Sequence, residues 1–277
     1  MTHIPVLQEE VVKYLDPKPN ENFIDCTVGE GGHASAILEK NGPKGKVLGI
    51  DKKLRLKPRE RLILAEDNFA DLKNIIEKYK FGPVHGILFD LGMSSWHLEE
   101  SGRGFSFKRK EPLDMRFDAK GFLLTAEKIV NYWSKFEIEK ILQDYGEEKK
   151  AERIAQRIIE ARNLRPIANT LQLAEIIKKA GAFPQQTFQA LRIAVNDELN
   201  NLSKALPQAV QILEPGGRLA VISFHSLEDR IVKKFFAARG EDPSFILLTK
   251  KPIVPDFGEI RANPRSRSAK LRAIKKP

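Results

Sequence analysis

The sequence predicts an α/β fold: an open, mostly parallel sheet that carries an all-helical insertion. Three observations predict it. Over residues 22–91, short apolar runs ending in acids alternate with segments of helical period. A glycine-rich turn joins the first of those runs to its helix. Residues 125–213 then read as almost continuous helix before a strand signature returns at residues 218–223.

In chain order, Pro5 keeps residues 3–6 extended. Gln8 to Leu15 is a short helix that stops before Asp16-Pro17, because a residue ahead of proline is pushed out of the helical region. The chain is organised around residues 22–33, NFIDCTVGEGGH. Phe23 and Ile24 lead into Asp25, Cys26 and Thr27; Gly29, Glu30, Gly31, Gly32 and His33 come next; then Ala34, Ala36, Ile37 and Leu38 fall at helical spacing. Strand, glycine loop and helix let backbone approach a ligand closely and offer it the free N–H groups of a helix start. GEGG is not GxGxxG, so the loop taken alone fits a plain βα turn equally well. A second strand over residues 47–50 ends in Asp51, placed after one crossover helix to hydrogen-bond ribose hydroxyls of an adenosine-bearing cofactor. Pro58 interrupts the short stretch 51–69, so no full crossover helix is expected there. Residues 62–65 form a third strand and 70–79 a helix with Leu72, Ile75 and Ile76 on one face. The continuous apolar run 84–89 suits a central parallel strand, and it ends in Asp90, followed by Leu91, Gly92, Met93, Ser94 and Ser95. Parallel sheets bind ligands at the carboxyl ends of their strands, so Asp25, Asp51 and Asp90 converge on one crevice.

Residues 102–118, GRGFSFKRKEPLDMRFD, have no period. They read either as a surface loop or as a nucleic-acid-facing loop, whose aromatics stack bases and whose Arg and Lys meet phosphates. Ser134 and Glu137 make a capping box, and Gly146 ends that helix. Lys149, Arg153 and Arg157, interleaved with Glu148, Glu152 and Glu160, mark a solvated salt-bridged helix face. Asn169 or Thr170 caps a helix closed by Gly181, and residues 187–213 read as one long helix, bent at Pro207. The expected division is a sheet domain of residues 1–105 and 187–277 around an inserted helical domain of residues 106–186. After the turn at 214–217, the strand 218–223 closes with Phe224, His225 and Ser226; a helix over 227–238 and an edge strand over 245–248 come after it. From Arg261 onward there are seven basic residues and no acid. This is either a frayed tail or an RNA-phosphate contact through Arg265, Arg267, Lys270 and Arg272.

Composition narrows the classes. A length of 277 residues allows a sizeable core, and a net charge of +10 favours a polyanionic partner, most simply nucleic acid. The single cysteine, Cys26, excludes an internal disulfide, and His3, His33, His85, His97 and His225 show no metal-ligand spacing, so no metal site is expected. No apolar run is long enough to span a membrane, and the first residues lack the pattern of a signal peptide; a cytoplasmic protein is expected.

Taken together, DCTVGEGGH, GILFDLGMSS, EESGRGFSF, PLDMRFD, YGEEKKAERIA, TFQALRIAVNDEL, LEPGGRLAVISFHSLEDRIVK and NPRSRSAKLRA resemble the MraW/RsmH family, the bacterial 16S ribosomal RNA cytosine-N(4)-methyltransferases that use S-adenosylmethionine. The resemblance covers nearly the whole chain in order, and SFHSLEDR and PLDMRFD are its specific parts. It implies a class I methyltransferase (Rossmann-like) sheet, with the helical insertion for RNA recognition. It implies S-adenosylmethionine as cofactor, bound at Gly31, Gly32, His33, Asp51, Phe69, Asp90 and His97, the last a position where the family can have glutamine. The implied substrate is a cytidine in the decoding region of the small subunit. The stretch 51–69 is several residues shorter than the family pattern.

The amine of cytosine is a weak nucleophile because its lone pair is conjugated into the ring. The task is therefore to align amine, methyl and sulfur, and to offer acceptors to the amine hydrogens. Asp90 is expected at the methionine end of the cofactor and near the target, with Ser94 and Ser95 holding the base. Asp114, Asn196 and His225 are further candidates, or else buried hydrogen-bonded polar residues. Two other readings compete. A nicotinamide-dependent dehydrogenase is disfavoured by the missing GxGxxG. A non-catalytic RNA-binding ribosome-assembly factor would have no need of three crevice acids beside a glycine loop.

Overall fold

The computed structural model describes residues 4–119, 123–240 and 243–277, with the side chain of Ser95 excepted; His3 lies outside them. In chain order the elements are Gln8–Leu15 (α1), Phe23–Asp25 (β1), Gly32–Lys40 (α2), Val47–Asp51 (β2), Leu62–Glu66 (β3), Leu72–Tyr79 (α3), Val84–Asp90 (β4), Ser95–Glu99 (α4), Ala126–Tyr132 (α5), Lys135–Gly146 (α6), Ala151–Leu164 (α7), Thr170–Lys179 (α8), Pro184–Asn196 (α9), Glu198–Ile212 (α10), Leu213–Ser223 (β5), Ser226–Gly240 (α11), Ile246–Leu247 (β6), Phe257–Ala262 (α12) and Lys270–Lys275 (β7). They form two compact units, Met1–Gly92 with Leu199–Pro277, and Met93–Glu198. Residues 93–105 and 187–198, which the sequence pattern assigned to the sheet, therefore pack with the helices.

The first unit is a seven-stranded sheet in the order β3-β2-β1-β4-β5-β7-β6. The first five strands are parallel, and β7 is antiparallel to both β5 and β6. Strand order reverses between β1 and β4, which puts the ligand crevice of such a sheet at their carboxyl ends. Alternation along the strands supplies two cores, one per face. Ile24, Leu48, Ile87, Phe89, Leu219 and Val221 pack with Leu72 and Ile75 of α3, Leu202 and Leu206 of α10, and Val232 and Phe236 of α11. Their neighbours Phe23, Val47, Leu88, Ala220 and Ile222 pack with Val11 and Leu15 of α1 and Ala34 and Ile37 of α2. Between β2 and β3, residues 52–61 form no helix. Leu54 and Leu56 instead cover the α1–α2 core from this loop, which is how the shortened crossover still buries the sheet.

The C-terminal segment corrects the expectation of a frayed tail. It contributes α12, a 3-10 turn at Pro264–Ser268 and the inner strand β7, in which Leu271, Ala273 and Ile274 are buried. Arg272 is 8% exposed and donates from Nε to Asp229 Oδ1 of α11 at 2.7 Å, while Lys270 Nζ lies 3.4 Å from Asp229 Oδ2. Arg272 is committed inside the fold and Lys270 is partly exposed beside it, whereas Arg261, Arg265 and Arg267 are exposed.

The second unit is all helix and loop around its own core, including Ile129, Ile138, Leu142, Ile154, Ile158, Leu173, Ile177 and Leu191. Ser134 and Glu137 form the expected capping box and Asn169 caps α8. Helix α6 ends at Gly146 as expected, and Glu147 after it caps the helix in the left-handed region. The single helix expected over 187–213 is two. The chain breaks at Asp197, whose φ is 53°, a conformation that the short polar Asp tolerates, and Pro207 lies inside α10. The aperiodic stretch 102–118 is not a solvent loop. Phe105, Leu113 and Met115 are buried in the helical core, Phe107 and Phe117 pack against it, and Phe105 stacks on Phe117 with centroids 5.5 Å apart. The buried Phe105 ring is a core residue and not a base-stacking platform.

Candidate active site

Asp25, Asp51 and Asp90 are the last residues of β1, β2 and β4, so the sheet brings all three to its carboxyl edge. Asp25 is 1% exposed, and its Oδ1 accepts the Thr27 N–H at 3.1 Å. Burial pushes its carboxyl up to about 6, against the opposing pull of His33. Asp51 accepts the Gly29 N–H at 3.0 Å on Oδ2 and the Lys53 N–H at 3.3 Å on Oδ1. Burial raises its pKa, partly offset by those N–H groups and by Arg55. The Lys52 N–H also bonds this carboxylate, and with about four lone-pair sites it keeps capacity for a hydroxyl donor. The Asp90 N–H donates to Thr27 Oγ1 at 2.7 Å, which fixes the end of β4 against β1. Its Oδ2 lies 3.5 Å from His33 Nε2, and its Oδ1 is buried without a hydrogen-bond partner among the described residues.

The glycines are required by close approach as much as by any ligand. Gly31 caps α2 at φ +81°, and a Cβ there would lie 2.8 Å from Leu56 Cδ1. A Cβ on Gly32 would lie 2.2 Å from Cγ of Pro5. No side chain caps α2, so its first N–H groups are open to an anionic or carbonyl ligand group. His33 comes next in the first turn, buried; burial works against its imidazolium, but Asp90, Asp25 and Glu259 outweigh it and raise its pKa. Phe69 opens the 3-10 turn after β3 and meets Phe89 edge-on, with centroids 5.4 Å apart. His225 is tied into the start of α11: its Nδ1 accepts the Glu228 N–H at 3.3 Å, and its Nε2 lies 3.2 Å from Glu228 Oε1.

The remaining candidates belong to the helical unit. Ser94 Oγ and His97 Nδ1 are 2.9 Å apart, and the His97 ring meets Phe105, Phe117 and Trp96 edge-on at 5.0–5.3 Å. Ser95 begins α4, and its side chain lies outside the described residues. Asp114 holds Arg116 through both oxygens, at 2.6 and 3.0 Å. Asn196 is fully buried, donates to the Met115 and Arg192 carbonyls and accepts the Phe117 N–H at 2.8 Å. These bonds brace the turn at Met115, whose φ is 57°. Sequence patterns did not reveal Leu56, which packs on Gly31, or Glu259, whose Oε1 accepts the Leu7 N–H at 2.8 Å and brings α12 to the N-terminal segment and towards His33. Neither residue carries a local signal, since each acts on a partner distant in sequence.

A parallel sheet with β7 inserted antiparallel, an uncapped helix after a glycine turn, and acids ending β1, β2 and β4 make this a class I methyltransferase fold. The donor set fits S-adenosylmethionine: Asp51 has lone pairs for ribose hydroxyls, the start of α2 has free N–H groups, and Asp90 Oδ1 lacks a donor among the described residues. The model of the MraW methylase family matches residues 1–277. A protein of Heliobacterium modesticaldum named ribosomal RNA small subunit methyltransferase H is 46% identical across 99% of this chain and 98% of its own. Proteins of the same name from Symbiobacterium thermophilum and Halothermothrix orenii are each 44% identical, across 99% and 100% of this chain and 96% and 99% of theirs. The chain belongs to the MraW methylase family, and it is an S-adenosylmethionine-dependent methyltransferase. No helix among the described residues is long and apolar enough to cross a membrane.

Proposed function

We propose that this protein transfers a methyl group from S-adenosylmethionine to the exocyclic amine of a cytidine in the decoding region of 16S ribosomal RNA, in the cytoplasm. The observation that carries this reading is the full-length similarity to proteins named small subunit ribosomal RNA methyltransferases. The cofactor supplies a methyl group already activated by its sulfonium. Asp51 binds the ribose, Gly31 lets the backbone come close, the N–H groups of Gly32 and His33 bind at the start of α2, Phe69 offers its ring to the adenine, and His97 is a further cofactor residue. Asp90 binds at the methionine end and stands as acceptor for the target amine, and Ser94 and Ser95 hold the base. Asp114 and Asn196 act by bracing the chain around residues 114–117, and His225 by fixing the start of α11. The helical unit recognises RNA, and the exposed Arg261, Arg265 and Arg267 meet phosphates.

Chemistry favours the amine over a ring carbon. Methylating a pyrimidine carbon normally needs a cysteine nucleophile to activate the ring. The one cysteine of the chain, Cys26, is buried, and burial pushes its thiol well above the ordinary value. The test is to incubate purified protein and labelled S-adenosylmethionine with small subunits lacking the modification, then digest to nucleosides for mass spectrometry. The expected product is cytidine methylated on its exocyclic amine, with Cys26→Ser active and Asp90→Ala inactive. Label on guanosine, on a ring carbon or on protein would overturn the assignment, and no label would favour a non-catalytic assembly factor.

A further inference from the structure

His33 has an environment that its backbone role does not explain. It is 5% exposed, and among the described residues neither ring nitrogen has a hydrogen-bond partner. Its nearest counter-charge is Asp90 Oδ2, 3.5 Å from Nε2. The charged groups that face it come from three elements: Asp25 at the end of β1, Asp90 at the end of β4, and Glu259 of α12. Around these, Asp51 of β2 acts on Asp25, and Glu10 of α1 and Asp256 act on Glu259. All of them are acids. Either protonation state buries ring nitrogens that lack a hydrogen-bond partner among the described residues, but the neutral form also leaves the neighbouring carboxylates without a counter-charge. An imidazolium is favoured by the charges of Asp90, Asp25 and Glu259 and offsets the repulsion between the first two.

We propose that the His33 side chain is a positioning residue for Asp90: as the imidazolium it holds Oδ2, and so keeps the buried, partnerless Oδ1 available to the ammonium group at the methionine end of the cofactor. This rests on the methyltransferase reading and deepens it, because cofactor affinity then depends on a proton carried by the protein. His33 is charged below its raised pKa and loses its hold on Asp90 as pH rises through it. Binding therefore weakens on the alkaline side, and the acids around His33 fix where.

The experiment has two readouts. Imidazole resonances of isotope-labelled histidine in the ligand-free protein should show His33 titrating above the usual value, and titrating lower in Asp90→Asn, where only Asp25 and Glu259 still oppose burial. Calorimetric binding of S-adenosylmethionine and S-adenosylhomocysteine from pH 6 to 9 should weaken roughly tenfold through that transition in the wild type. The amine of the ligand titrates in the same range, so the reference is His33→Asn, which keeps an N–H donor towards Asp90 and should bind with only the shallower pH profile of the ligand itself. A merely structural His33 would lower affinity in the variant without changing the shape of the profile. Superimposable profiles, or a His33 neutral throughout, would overturn the proposal, and the resonance comparison stands even where His33→Asn does not fold. Failure of both ligands to bind wild type at every pH would instead overturn the methyltransferase reading, and the cofactor half of this proposal with it.

Discussion

Asp25 holds a site together at a cost to the fold. Its carboxyl is raised to about 6 from an ordinary value of 3.8, chiefly by burial. The folded state therefore keeps its proton where the unfolded chain has lost it, so stability falls as pH rises from about 4 to about 6, and the penalty is complete above that. About two pKa steps at 1.36 kcal/mol each amount to roughly 3 kcal/mol as an upper figure. Asp25→Asn keeps an acceptor for the Thr27 N–H, so it is expected to raise stability by about 2–3 kcal/mol at pH 8 and by nothing at pH 4. Denaturant unfolding at the two pH values checks this, and equal stability at pH 8 would refute it. Burial raises the Asp51 carboxyl as well, and its proposed role is on the ligand. Removing its carboxylate loses charge-assisted hydrogen bonds worth about 1.5–3 kcal/mol, so Asp51→Ala should bind S-adenosylmethionine tenfold or more weakly. Wild-type affinity in a folded variant, read by calorimetry, would take Asp51 out of the site.

At the scale of elements, the C-terminal basic residues divide into two kinds that their spacing does not separate. On β7, Arg272 and Lys270 hold Asp229 of α11, which tips the pKa of that acid below the ordinary value against the effect of burial. A depressed carboxylate contributes stability above the unfolded pKa and loses it as pH falls through the folded one, so this clasp weakens only in acid. On α12 and the turn after it, Arg261, Arg265 and Arg267 face solvent. Arg272→Ala should leave Asp229 without its main counter-charge and destabilise the protein by about 3 kcal/mol, with the salt dependence of RNA binding unchanged. Replacing Arg261 and Arg267 by alanine should do the reverse. Unfolding would be unaffected, and the log–log salt slope of RNA binding would fall by about 0.7–0.9 for each phosphate no longer neutralised. A slope that moves with Arg272 and not with the exposed pair would reverse the assignment.

At the scale of the whole molecule, three cores, two on the faces of the sheet and one among the helices, define two units, and that sets where the chain can be cut. Phe105 on one side of the expected insertion and Phe188, Leu191 and Val195 on the other belong to the helical core. Excising residues 106–186 would strand these side chains, and the product should be insoluble. Replacing Met93–Glu198 with a flexible linker removes that core entire and leaves the cores on both faces of the sheet complete. This shortened protein should fold and bind S-adenosylmethionine, and should not methylate RNA. Circular dichroism and calorimetry on both deletions distinguish the outcomes, and a soluble 106–186 deletion beside an unfolded 93–198 deletion would contradict the division.

Periodicity and caps are encoded within a few residues of each other, so most of the elements are legible from local pattern. The apolar runs of β1, β2 and β4, the acids that end them, the Ser134 capping box and the Asn169 cap all read directly. So did the parallel order of the early strands, because strand–helix alternation leaves few topologies open. The tertiary structure decided what depends on partners far away in the chain. Pro207 looked like a bend in one long helix, but the chain divides at Asp197, where a left-handed residue closes α9. The 102–118 stretch looked like a loop because its buried residues follow no period; Phe105 and Phe117 are held by contacts within the helical core. Arg272 looked like tail charge until β7 paired with β5 and set it beside Asp229, 43 residues earlier in the chain. The same holds at the site. Asp25, His33 and Asp90 were each visible as residues, but only the sheet, by placing β1 beside β4 under the first turn of α2, makes them one buried cluster whose charges must balance.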